Sequence, residues 1–470
     1  MTEGEVNEIN ENLDNLNVEN TPAKRWGDYT DDTPDPSPHP DKPTHAFKSD
    51  VKVVEANLSE KMNDPNHVLY SAVDSFEDFN IKPDILKGIL VQFKKPSRIQ
   101  ALTLPILLNS DTNLIAQSQS GTGKTLCFAI CMLAAVNEED PNPQALVLLP
   151  SLELAVQVAS VIENLARFTQ IKVFSILAGE RLSRNDIKGQ ILVGTPGKVK
   201  ELILRRTIDP KLIKLFVLDE ADQMLDEGGI RDSTLAIREK LNEDTRVLLF
   251  SATFKDPDDS NDTEGEEKDK HVLEFASQVV PPPVKTILLK RDKLTLDEMK
   301  QFSVYCQDDS MKTRLIMEIF DTLEVGQSMI FVNKKDTAKE LAEVLMEQNF
   351  TVAVIRGDLA PGERKQAMEE FRKGNSRVMV STNAAARGID IASVTHVINY
   401  DMPMRVFETK EYDYATYLHR IGRTARFGKP GYAINLYSHP GDKRMIEAFR
   451  DFYKTTITEV SADQIEQSIQ

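Results

Sequence analysis

At 470 residues the chain is too long for a single compact core, which points to two domains plus tails. An apolar content of 40% is ordinary for a globular protein, and no run is long and apolar enough to span a bilayer, so no membrane insertion is expected. The formal net charge of −17 argues against nucleic acid only until its distribution is read.

Residues 1–44 carry eleven acidic and three basic side chains and six prolines, a balance of −8. The N-terminus, MTEGEVNEINENLDNLNVEN, has no apolar stretch that would make it a secretory signal. Residues 256–270, DPDDSNDTEGEEKDK, hold eight acids and two lysines, a balance of −6. Taking both from −17 leaves −3 for the rest, which has room for a basic groove. Both acidic segments are too polar to bury a core and are expected to be disordered. Residues 1–70 therefore read as an acidic tail, with a possible short helix over 46–62, AFKSDVKVVEANLSEKM.

From residue 71 to 290 apolar runs alternate with helical stretches: QALVLLP, QILVGTP, LFVLDEAD, RVLLFSAT. Continuous apolar runs that end in polar residues suit buried parallel strands with functional loops at their carboxyl ends. The prolines and charged run of VVPPPVKTILLKRDKLTLDE suggest a boundary near 285–297. Residues 298–470 repeat the rhythm with QSMIFVN, TVAVIRGD, RVMVSTN and HVINYD. The expected fold is α/β, two lobes with parallel sheets joined by a short linker. Cys127, Cys131 and Cys306 are too few and too far apart for a metal site and read as buried thiols.

The chemistry begins at AQSQSGTGKT, residues 116–125, which lies between a strand-like run and a helix-like run. Gly121 and Gly123 let the backbone turn its N–H groups toward an anion, and the helix that starts near Lys124 adds its positive end. Lys124 can reach the β- and γ-phosphates of a nucleotide, and Thr125 can ligate Mg²⁺. Ser118, Gln119, Ser120 and Thr122 complete the expected phosphate cradle. Downstream, Asp219-Glu220-Ala221-Asp222 ends an apolar strand. Phosphoryl transfer needs one carboxylate to hold Mg²⁺ and another group to orient the attacking water, roles that suit Asp219 and Glu220.

VLDEAD resembles motif II of the DEAD-box RNA helicases, and the other motifs of that family follow in order. KKPSRIQ, ending in Gln100, resembles the adenine-reading Q motif, with Phe93 placed to stack on the base and Phe76 upstream. AQSQSGTGKT resembles motif I of this family, which tolerates a small residue at Ser118. PSLELA (150–155), Ala178-Gly179 and TPGK (195–198) resemble the RNA-contacting motifs of the first lobe, and SAT (251–253) the coupling motif. SMIFV, STNAAARGID (381–390) and HRIGRTARFG (419–428) resemble motifs IV, V and VI.

The resemblance implies that the two lobes are RecA-like, and it implies ATP and Mg²⁺ as cofactors, with Mg²⁺ held by Thr125 and Asp219, largely through water. Arg423 and Arg426 become arginine fingers on the γ-phosphate, and Asp390 a partner of the ribose or of the fingers. Ser251, Thr253, His419 and Arg420 become coupling residues, the last two tying motif VI to the first lobe. RNA, bound without sequence preference, is expected at Ser151, Gly179, Thr195, Gly197, Arg364 and Thr382. The segments NDPNHVLYSAVDSF and PMRVFETKEYDYAT resemble most the mRNA-export branch of the family. That branch implies nuclear pore proteins and an inositol-hexakisphosphate-dependent activator as partners, and a place in cytoplasm and nucleus, at the cytoplasmic face of the pore. The translation-initiation branch is similar but has a shorter segment before motif VI.

The chain departs from the family pattern at several positions. Leu152 and Arg356 stand where the family usually has Arg and His, and Ala425 where it has Gly. Ala384 and Ala385 replace larger apolar residues, and 256–270 reads as an insertion. Two other activities fit the same motifs: an ATP-gated RNA clamp or scaffold that hydrolyses weakly, and a DNA helicase.

Overall fold

The computed structural model describes residues 51–56, 75–117, 122–177, 181–226, 229–252, 266–289, 299–322, 326–383, 391, 393–403, 412–425 and 430–469. Of the expected site residues, Ser118, Gln119, Ser120, Gly121, Gly179, Thr253, Asp390 and Arg426 lie outside the described residues. So do most of the acidic tail, the insertion up to residue 265 and the junction 290–298.

The first lobe is an eight-stranded sheet of β1 (Val51–Ala56), β2 (Asn113–Gln117), β3 (Ala145–Leu148), β4 (Val173–Ile176), β5 (Ile191–Gly194), β6 (Leu215–Leu218), β7 (Arg246–Ser251) and β8 (Val284–Leu289). Its order is β1-β8-β2-β7-β6-β3-β5-β4. All pairings are parallel except β1 with β8. The second lobe is an all-parallel sheet of β9 (Met299–Tyr305), β10 (Gln327–Val332), β11 (Val352–Ile355), β12 (Val378–Thr382), β13 (Val394–Asn399), β14 (Gly431–Tyr437) and β15 (Ile457–Val460). Its order is β11-β12-β10-β13-β14-β9-β15.

Strands buried on both faces explain the unbroken apolar runs. In β3, Ala145 and Val147 face one hydrophobic cluster while Leu146 and Leu148 face the other. The helices that position the site are α1 (Arg98–Asn109), α2 (Lys124–Ala135), α3 (Leu152–Ala166), α4 (Pro196–Leu204), α5 (Glu266–Val279), α6 (Pro361–Arg372) and α7 (Tyr414–Ile421). α2 is buried from Leu126 through Leu133, which fixes its phosphate-facing end against the sheet. All three cysteines are buried, and burial pushes the Cys127 thiol up to about 12. No helix among the described residues is long and apolar enough to cross a membrane.

Two expectations need correction. Residues 51–56, expected within a short helix, form the strand β1, in register from Val51–Leu289 to Ala56–Val284. Alternating valines find a free sheet edge there, and pairing overrides local propensity. The acidic stretch 256–270 is not irregular to its end, because residues 266–270 begin α5. That helix is anchored further on by Val272, Phe275, Ala276 and Val279. Deleting residues 256–265 is therefore expected to leave the thermal midpoint within ~2 °C of the parent, whereas a deletion carried to residue 270 cuts the helix start and lowers it. A scanning-calorimetry comparison of the two deletions checks this. A large loss from the shorter deletion would show that the insertion is packed.

Candidate nucleotide and coupling site

Each lobe presents its polar residues at the carboxyl ends of its strands, where a doubly wound sheet binds its ligands. After β2, the phosphate loop ends at Gly123, whose φ of 99° is left-handed. A side chain here is excluded twice, since an added Cβ would also lie 2.2 Å from Gln100 Nε2. Lys124 is the first residue of α2 and is buried, while Thr125 beside it is half-buried. The open helix end and its lysine suit a polyphosphate.

Gln100 sits one turn into α1 and is buried. Its Oε1 accepts from the Ser97 N–H at 2.8 Å, and its Nε2 donates to the Gly123 carbonyl at 3.1 Å. The expected adenine-reading glutamine is thus also a prop for the phosphate loop. Phe93 is half-buried against the first core cluster, and Phe76 lies fully within it.

Asp219 and Glu220 follow β6 and are both buried. Glu220 has a φ of 53°, an uncommon conformation for a side chain of this size. Its N–H donates to Asp219 Oδ1 at 2.9 Å. Burial, and then the neighbouring Glu220 carboxylate, push Asp219 well above the usual carboxylate range, against the Lys124 ammonium, which pulls it back. Ser251 closes β7 in full burial, opposite Gln117 of β2.

The second lobe meets this site through α7. His419 Nε2 lies 2.9 Å from Asp222 Oδ2, and its Nδ1 lies 3.4 Å from Gln223 Nε2 and 3.8 Å from Glu220 Oε2. The geometry suits donation from Nε2 to Asp222 and places Nδ1 toward the Gln223 amide. Gln223 Nε2 also lies 3.3 Å from Glu220 Oε2. One histidine therefore touches the residues that surround the expected water-orienting carboxylate. Asp222 and Gln223 received no role from the sequence, although the run DEADQ contains both.

Arg420 does not follow His419 across the cleft. It is 2% exposed, and its described hydrogen bonds stay within its own lobe. Nε donates to Asn383 Oδ1 at 2.8 Å, Nη1 to Asn399 Oδ1 at 3.1 Å and to the Asp401 carbonyl at 2.6 Å, and Nη2 to Asn333 Oδ1 at 2.9 Å. The guanidinium also lies over the Phe331 ring, 5.3 Å from its centre. Neighbours in sequence, His419 and Arg420 point opposite ways from α7, so one reaches the first lobe while the other is held by the ends of β10, β12 and β13. Arg423, just past α7, is buried and donates from Nε to the His419 carbonyl at 2.8 Å. Ala425 holds a φ of 56° in full burial, the left-handed conformation that glycine adopts at least cost.

The expected RNA residues sit at other strand and helix ends, in both lobes. Ser151 caps α3, its Oγ accepting from the Leu154 N–H at 3.3 Å. Thr195 caps α4, and Gly197 in its first turn faces open space. Thr382 ends β12 half-buried. Arg364 on α6 crosses to the first lobe, with Nη1 3.1 Å from Glu153 Oε1. Glu153 was not anticipated, since its partner is 211 residues away and no local signal joins them.

The DEAD/DEAH box helicase family model matches residues 97–260, and the helicase conserved C-terminal domain model matches residues 311–428. The ATP-dependent RNA helicase dbp5 of Schizosaccharomyces pombe is 41% identical over 422 residues, 89% of this chain and 80% of that protein. A solved structure of S. cerevisiae Dbp5 bound to RNA and ADP BeF3 superposes with a TM-score of 0.77 at 38% identity, covering 84% of this chain and 98% of that one. A Dbp5 variant bound to Nup159, a Gle1 variant, IP6 and ADP superposes with a TM-score of 0.59 at 36% identity, covering 83% and 98%. With a phosphate loop in one lobe, a histidine from the other lobe on its carboxylates, and both family models satisfied, the chain belongs to the DEAD/DEAH box helicases and is an ATP-dependent RNA helicase.

Proposed function

We propose that this helicase couples ATP hydrolysis to RNA duplex disruption or ribonucleoprotein remodelling in mRNA export, at the cytoplasmic face of the nuclear pore. The observation that carries the coupling is the His419 bridge to Asp222 and Gln223, which makes the carboxylate site depend on the position of the second lobe. Similarity to Dbp5 solved with Nup159, Gle1 and IP6 supports a nucleoporin and an inositol-hexakisphosphate-dependent activator as partners.

In this reading Lys124 and the start of α2 hold the phosphates, and Gln100 holds the loop while Phe93 stacks on the base. Thr125 and Asp219 would hold Mg²⁺, which would neutralise phosphate charge. Glu220 orients water, and Arg423 with Arg426 approaches the γ-phosphate. Ser151, Thr195, Gly197 and Thr382 face RNA phosphates and 2′-hydroxyls. The lobes form around residues 71–290 and 298–470, with β1 as an outlying strand of the first.

The test is phosphate release from the full chain with single-stranded RNA, single-stranded DNA or neither, each with and without the IP6-loaded activator. Stimulation by RNA and further by the activator is expected. Equal stimulation by DNA would favour the DNA-helicase reading, and ATP-dependent RNA binding without turnover would favour the clamp. A second expectation follows from Asp219. Its raised affinity for protons means that acidification removes the Mg²⁺ ligand at a pH where ordinary carboxylates are still ionised, near ~4 and above. Mg·ATP affinity is expected to fall on acidification well above that range, and Asp219→Asn to flatten the dependence to the part that comes from the phosphates of ATP, which titrate near ~6. A pH titration of nucleotide binding checks both.

A further inference from the structure

Two arginines flank Gly357 at the carboxyl end of β11, and they are not equivalent. Arg364 is committed through both terminal nitrogens, although its Nε is buried without an acceptor: Nη1 faces Glu153 of the first lobe at 3.1 Å, and Nη2 donates to the Gly357 carbonyl at 3.2 Å. Arg356 is the opposite case. Its side chain is only 20% exposed, yet no acceptor among the described residues takes a hydrogen bond from its guanidinium. The nearest carboxylate oxygen, on Asp358, stands 3.6 Å from Nε, too far for a hydrogen bond. Of the five donors of the Arg356 guanidinium, the Nε–H is buried without an acceptor, a cost that a ligand oxygen would relieve. The approach is open, because an added Cβ at Gly357 would meet nothing within 4 Å.

The Arg364–Glu153 bridge brings the first turn of α3 to the same edge of the cleft. That turn reads Ser151-Leu152-Glu153 and contributes a carboxylate but no cation. An anionic strand crossing here finds Arg364 already neutralised and Leu152 without a donor. The guanidinium whose terminal nitrogens have no acceptor among the described residues is that of Arg356, with Asp358 near only its Nε.

We propose that Arg356 is a backbone-phosphate contact for single-stranded RNA, supplying from the second lobe the cation that Leu152 withholds from the first. The assignment rests on the RNA-helicase function. A contact to phosphate alone carries no base preference and adds to the salt dependence of binding.

The experiment uses the full chain with ADP–BeF3 and a fluorescein-labelled decauridylate, titrated at two salt concentrations. Arg356→Gln is expected to weaken RNA binding about five- to tenfold. The slope of log affinity against log salt should become shallower by ~0.7, the value for one lost contact on a single strand. Arg356→Lys should keep most of that slope, and Leu152→Arg placed on Arg356→Gln should restore affinity. Nucleotide affinity without RNA and the melting temperature should not move, since the side chain lies outside the ATP site and the core. Unchanged RNA affinity in Arg356→Gln overturns the proposal. So does a loss with an unchanged salt slope, which would mark a packing role. If the parent chain itself fails to bind the decauridylate with ADP–BeF3, the RNA reading fails first, an outcome distinguishable from either.

Discussion

Glu220→Gln will retain ATP binding and lose on the order of 10²-fold or more in RNA-stimulated hydrolysis. The substitution keeps shape and burial but removes the negative oxygen that faces the Gln223 amide and the His419 ring. An amide cannot take charge from a water that is losing its proton. The left-handed backbone at Glu220 already aims the side chain away from the ordinary strand direction, so the carboxylate's position is set by the fold and not by the ligand. Lys124→Ala should differ by failing in both binding and turnover, because its ammonium acts on the phosphates in the ground state as well. Single-turnover phosphate release beside a nucleotide titration separates the two. Near-normal turnover in Glu220→Gln would remove it from the water-orienting role.

The largest expected effect on stability is at Arg420. Arg420→Ala removes five donors from a buried site and leaves the oxygens of Asn333, Asn383 and Asn399 and the Asp401 carbonyl facing a cavity. Leaving several buried neutral acceptors unpaired, at about 1–3 kcal/mol for each one that water cannot reach, costs about 3–5 kcal/mol in all. In a lobe of this size that lowers its unfolding midpoint by on the order of 10 °C. Arg420→Lys should recover little, because an ammonium cannot reproduce the planar fork that meets acceptors on three strands. Urea unfolding followed by Tyr signals, most of which lie in the second lobe, checks the expectation. A second-lobe transition within a degree or two of the parent would mean that the asparagines are satisfied without the arginine.

What the sequence made legible is what lies close together along it. Gly-Lys-Thr between two apolar runs needs only a dozen residues to be read, and so does the acid pair after LFVL. In the structure the acid pair follows the buried strand β6, and Gly-Lys-Thr opens the helix α2. What stayed hidden was decided between distant segments. VKVVEA can be written as helix or strand until β8, more than 200 residues later, offers an edge. The Arg364–Glu153 bridge and the Asn383–Arg420 contact each join residues with no shared local pattern. For the same reason His419 and Arg420 looked interchangeable in HRIGR. Only the three-dimensional rotation of α7 sends one to the first lobe and the other into its own. Ala425 shows a further limit: the letter says nothing of a left-handed backbone, and alanine takes that conformation here only because Thr424, bonded to the Val394 and Thr395 carbonyls, and Gly431 hold the turn.

β1 is the one antiparallel strand among the described residues, and it lies on the outer flank of β8. Without it, β8 would present a row of unpaired N–H and C=O groups along Val284–Leu289, a template for another chain to pair with. The segment that reads as an acidic tail thus contains, at residues 51–56, a guard against self-association, with an acidic stretch upstream whose like charge opposes the approach of other copies. A truncation placed after residue 56 trades away solubility even if every catalytic group survives, whereas one placed before residue 50 keeps the edge covered.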